Sequence, residues 1–88
     1  MDNLINALQE TIQFLQDSQD PIYSHLTVAE IIQQLEEEVA KIKDSQPFDK
    51  NRLSLLFAPT GSIQETSIDN GWRQEFLDLA SAVDNYLS

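Results

Sequence analysis

The chain has 88 residues, no cysteine and a formal net charge of −10. One domain of this length buries a single core. A disulfide framework and a thiolate metal site are excluded, and so large a negative field repels the phosphates of nucleic acids and of anionic lipid heads.

The apolar fraction of 41% belongs to a globular chain, and two glycines and three prolines leave room for long regular elements. Spacing predicts a first helix over residues 2–17. At 100° per residue, Leu4, Ile5, Leu8, Ile12 and Leu15 fall within one arc of about 100°, opposite Asn6, Gln9, Glu10, Gln13 and Gln16. Phe14 lies off that stripe and needs a second neighbour. Ser18-Gln19-Asp20-Pro21 ends the helix, because a residue before proline is pushed out of the α region.

Thr27 followed by Glu30 is a capping-box pair, and Leu26 and Ile31 stand where a hydrophobic staple would join. The helix behind that cap carries Val28, Ile31, Ile32, Leu35, Val39 and Ile42 on one side and stops near Asp44, before Pro47. Glu37 and Lys41 are spaced as an i,i+4 ion pair. Asp49 caps a short third helix whose Leu53, Leu56 and Phe57 share a face, and Pro59 forces an exit by Ala58. Gly61 suits a left-handed cap or a tight turn.

Ser62-Ile63-Gln64-Glu65 repeats the capping-box pattern, which predicts one or two helical turns over residues 63–69, with a compact loop as the alternative. Thr66, Ser67 and Ile68 are weak helix formers. A last helix is expected from about Gly71 to Tyr86 with Asp69 or Asn70 near its cap. Its apolar arc is Trp72, Phe76, Leu79, Ala80, Val83, Tyr86 and Leu87, with Leu77 off that face. The pattern predicts an all-α fold: one domain over residues 1–88, a small antiparallel bundle of three long helices plus one or two short ones.

No apolar run approaches the roughly 20 residues a membrane span needs. Met1-Asp2-Asn3-Leu4 lacks the basic start of a secretory signal, so a cytoplasmic protein is expected.

Little in the chain points to catalysis. His25, the sole histidine, sits in the loop before the Thr27 cap, where Asp20 or a core edge could hold it. No serine has the context of a nucleophile elbow. Glu36-Glu37-Glu38 points three carboxylates 100° apart and lacks the i,i+3 histidine of a bundle metal site, so it reads as a solvated helix face. Pro59-Thr60-Gly61-Ser62 lacks the Lys-Ser/Thr of a phosphate loop and reads as a helix-to-helix corner. We therefore expect no enzyme, no cofactor and no metal.

The corner is nevertheless unusual. Phe57 to Trp72 concentrates a proline, both glycines, two candidate caps and the only tryptophan. It either docks Trp72 on the bundle or offers a rigid aromatic surface to a partner. Leu55-Leu56-Phe57-Ala58-Pro59-Thr60-Gly61-Ser62-Ile63-Gln64-Glu65 and Ser67-Ile68-Asp69-Asn70-Gly71-Trp72, running into Glu75-Phe76-Leu77, resemble a group of small bacterial all-helical proteins of unknown function. The resemblance covers residues 53–83, about a third of the chain. It implies a bacterial, cytoplasmic, stand-alone helical protein and supplies no site residues.

Charge gives the remaining direction. Residues 1–40 carry eight acids and no Lys or Arg, whereas Lys41, Lys43, Lys50 and Arg52 cluster in residues 41–52. Such an acidic surface serves solubility, or it binds a basic protein by fast, salt-sensitive association, as an immunity-type protein neutralising its partner would. Asp17, Glu30 and Glu37 are the candidate contact carboxylates and Trp72 the candidate aromatic. The alternative is self-association, to a homodimer for instance, through an apolar patch of Phe14, Leu55 and Leu77. Neither nucleic acid nor membrane is an expected partner.

Overall fold

The computed structural model describes residues 2–22 and 24–87. Among the described residues five helices form: α1 (Asp2–Gln16), α2 (Val28–Lys43), α3 (Lys50–Leu56), α4 (Ser62–Asn70) and α5 (Arg73–Leu87). The fold is all-helical, an antiparallel bundle of three long helices with two short ones between the second and the last.

α1 is the central rod. It packs on α2 and on α5, while α5 also meets α3 and α4, and α4 touches α2. Phe14 near the end of α1 stacks on Trp72 before α5, and Asn3 near its start shares a groove with Ala82. Ile5 likewise faces Ile42, and Gln16 faces Glu36. α1 therefore runs antiparallel to both long neighbours.

A rod between two others must bury more than one stripe. Leu4, Leu8, Ile12 and Leu15 are buried as their spacing requires, and Ile5 packs against them. Ala7 and Thr11 are buried as well. The Thr11 hydroxyl donates to the Ala7 carbonyl at 2.8 Å, so its burial leaves no orphan polar group.

α2 begins as its sequence dictates. The Thr27 hydroxyl accepts from the Glu30 amide at 3.2 Å and the Glu30 carboxylate accepts from the Thr27 amide at 2.9 Å. Asp20 adds a further acceptor, taking the Val28 amide at 2.9 Å. At the other end Ser45 has φ 55, a left-handed conformation unusual outside glycine, and the Gln46 amide reaches back to the Lys41 carbonyl at 2.9 Å. The stop lies in that turn, two residues before Pro47.

Asp49 caps α3 as expected, accepting from the Arg52 amide at 2.9 Å, and Leu53, Leu56 and Phe57 are buried together. Residues 62–70 are helix rather than loop. Thr66 and Ser67 are buried in it, with their hydroxyls donating to the Ser62 and Gln64 carbonyls. The expected box at Ser62 does not form: Ser62 is already helical, and Gly61 takes the cap without a side-chain bond.

Gly61 is not left-handed either, with φ −83. A side chain is excluded there by crowding, since a Cβ would lie 2.7 Å from the Leu55 carbonyl oxygen and 2.9 Å from that of Leu56. Gly71, which was expected to open the last helix, instead closes α4 at φ 81. α5 accordingly starts at Arg73, two residues later than its spacing suggested.

Candidate functional site

Asp69 and Asn70 do not cap α5. They tie the corner to the loop after α1. Asn70 accepts from the Gln19 amide at 2.9 Å and donates to the Gln19 carbonyl at 3.0 Å, while Asp69 accepts from the Ile22 amide at 3.2 Å. Trp72 follows. Its ring stacks on Phe14 with centroids 4.9 Å apart, and its indole N–H donates to the Ser18 hydroxyl at 2.9 Å. At 5% exposure Trp72 is spent inside the bundle. The candidate aromatic is thus a docking element of the fold and offers no free face to a partner, and Phe14 finds in it the second neighbour it needed.

The three consecutive glutamates have three fates. Glu36 is exposed on the α1/α2 groove. Glu37 is 47% exposed and pairs with Arg52 at 3.1 Å. Glu38 has no exposed surface at all, which corrects the expectation of a solvated face. Its carboxylate accepts from the Asp49 amide at 2.7 Å, from the Arg52 guanidinium at 2.9 Å and from the Lys41 ammonium at 3.1 Å. Lys41 therefore pairs with Glu38 rather than Glu37.

Burial pushes the Glu38 carboxyl up, but the Asp49 amide and the two cations outweigh it and hold the group below the usual carboxylate range. Arg52 is raised in turn, chiefly by its bond to Glu38. The triad joins α2 to the start of α3, and it occupies two of the chain's five cations.

The remaining candidates disperse. Glu30 is exposed, but its carboxylate is engaged by the Thr27 cap. His25 is exposed, with no hydrogen bond to a described residue, and lines a groove with Leu26, Arg52 and Leu55. Asp20 is engaged by Val28, not by His25. Among the described residues no group of three His, Asp or Glu side chains is placed to hold a metal ion, and no helix is long and apolar enough to cross a membrane.

Asp17 lies in a different setting. The seam between α1 and α5 forms an open groove of about 410 Å³ whose floor is Ala7, Phe14, Leu79 and Ala82. Its walls are Asn3, Asn6 and Glu10 on one side and Glu75 and Asp78 on the other, and no Lys or Arg lines it. Beyond Phe14 the surface continues as a shallow depression between Gln13 and Asp17. The signal was present in the sequence: positions 3, 6, 7, 10, 14 and 17 recur at helical spacing, so Asn3, Asn6, Ala7, Glu10, Phe14 and Asp17 form a second stripe on the side of α1 away from the main apolar one.

Of the two expected patch residues besides Phe14, Leu55 is 72% exposed on α3 and Leu77 is exposed on α5. Comparisons with protein-family models, with curated proteins and with solved structures give no match.

Proposed function

We propose that the protein is a non-catalytic binding module whose acidic surface engages, and in doing so neutralises, a basic protein partner in a bacterial cytoplasm. The observation that carries this reading is the division of labour among the carboxylates. Asp20, Glu30, Glu37, Glu38, Asp49 and Asp69 each accept a hydrogen bond that holds the fold. Glu10, Asp17, Glu75 and Asp78, like Glu36, Asp44, Glu65 and Asp84, accept none from a described residue, and the first four gather: Glu10, Glu75 and Asp78 line one seam and Asp17 lies at its end. Like charges gathered without partners oppose folding, and they are useful to a surface that steers and orients a cationic protein.

The test is affinity capture from the source cell at low and at high salt, followed by titration of the captured protein against the pure chain. A basic partner held at low salt and released at high salt is expected. Failure to recover any basic protein at low salt refutes the proposal.

A second reading rests on Leu55. At 72% exposure it stands beside a groove that also contains Leu26 and Leu56, the kind of contact through which a second copy could pair. Light scattering at micromolar concentration discriminates, since a monomer of 10.0 kDa removes it.

A further inference from the structure

The geometry points to the α1/α5 groove as the docking site for a cationic amphipathic helix of the partner, an assignment that rests on the binding-module reading and narrows it to one face. α1 and α5 lie side by side, and no other helix lines this seam. From Asn3 to Phe14 the groove runs about 16 Å, the length of three helical turns. Its floor is low, because Ala7 and Ala82 replace the larger side chains that would fill a seam between helices, and half-buried Phe14 closes one end. An incoming helix can therefore approach closely and lay a narrow apolar stripe on Ala82, Leu79 and Phe14.

The walls determine which helix fits. Glu10 on one side and Glu75 and Asp78 on the other flank the floor, with Asp17 past its end. A helix with Lys or Arg on both flanks of its apolar stripe would place cations against carboxylates on both walls. An acidic or neutral helix would leave the wall charges facing one another with nothing between them. Two of the five cations, Arg52 and Lys41, are held at Glu38, and none of the five lines the groove.

The probe is a synthetic peptide of about 14 residues built from Lys, Leu and Ala, with Leu and Ala on one helical face. Its partner control has the same composition in scrambled order, with no apolar face. Each is titrated into the isotopically labelled full chain at low salt, with backbone amide shifts as readout. The amphipathic peptide is expected to shift residues 3–17 and 75–82 and to bind more tightly than the scramble. A Glu10→Gln, Glu75→Gln, Asp78→Asn triple variant should bind it about tenfold more weakly, the sum of three exposed charge pairs. Glu36→Gln, Asp44→Asn, Asp84→Asn carries the same charge change on other faces and should bind within about twofold of the parent.

Equal losses in the two triples, equal binding of the scramble, or shifts centred elsewhere would overturn the groove while leaving an acidic binding module intact. So would absence of peptide binding if a basic partner is still captured from cells. If neither peptide nor cellular protein binds at low salt, the groove and the broader reading fall together.

Discussion

Replacing Glu38 by Gln tests whether a buried carboxylate organises the join between α2 and α3. Gln keeps the volume and one acceptor oxygen, so no cavity is made. If that oxygen stays on the Asp49 amide, the side-chain NH2 faces Arg52 and Lys41, two donors that already sit 2.9 and 3.1 Å from the position. If the amide turns over, the Asp49 N–H loses its 2.7 Å acceptor instead. Either way at least one strong bond is lost. Bonds to charged groups are worth about 1.5–3 kcal/mol each.

The full sum does not apply, because the Arg52 and Lys41 side chains are 33% and 40% exposed and regain water when released. A loss of about 2–3 kcal/mol remains. In a domain this small, 1 kcal/mol moves Tm by about 4–8 °C, so Tm should fall by roughly 8–24 °C. Urea unfolding followed by circular dichroism measures the change, with Glu36→Gln as the exposed control, expected within about 0.5 kcal/mol of the parent. If Glu38→Gln were equally silent, the triad would be no more than a surface ion-pair cluster and our account of its burial would be wrong.

The same group sets an acid response. Its folded pKa lies below the unfolded value, so its contribution is fully present above the ordinary glutamate pKa and is lost as pH falls through the lower, folded one. Unfolding free energy should therefore decline below about pH 4, and the decline should be shallower in Glu38→Gln. The two glycines should separate by mechanism: Gly71→Asn should cost less than Gly71→Ala because only φ is at issue, whereas at Gly61 both should cost about 1–3 kcal/mol through the clash with the Leu55 and Leu56 carbonyls. Chemical denaturation of the four variants checks this. Ser45→Gly should raise stability by about 0.5–1 kcal/mol, since an exposed residue at φ 55 gains a glycine backbone, and an unchanged or lower urea midpoint would contradict it. Trp72→Phe should keep the stack on Phe14, lose the bond to Ser18 and cost about 1–2 kcal/mol, read by calorimetry.

Helices were legible where periodicity and caps agree. The Thr27–Glu30 box and the Val28–Ile42 stripe are local facts, set by spacing along one chain, and α2 follows them to the residue at its start. The junction between α4 and α5 was not legible in the same way. Asp69-Asn70-Gly71 can cap a following helix or close a preceding one, and the choice was made by tertiary bonds to Gln19 and Ile22, about fifty positions away. Gly61 illustrates the same limit. Its backbone is ordinary, and the need for glycine comes from carbonyls that only the folded corner brings near. The left-handed turn at Ser45 carries no glycine to announce it.

Charge was harder to read than position, and Glu38 shows why. On a helical wheel it falls within about 20° of Ile31, squarely on the buried stripe with Leu35 and Ile42. The pattern marked it as internal, and its charge argued for solvent. The deciding fact was that Arg52 and the free amide at Asp49 arrive from beyond the next turn. Glu10, by contrast, lies on the side of α1 away from its main apolar stripe, and no cation lines its groove. The same side chain is a fold element where donors converge and an unspent charge where they do not. It follows that binding function in such an acidic bundle should be sought where carboxylates without donors gather on one face, as Glu10, Asp17, Glu75 and Asp78 do, rather than where acids are densest along the chain.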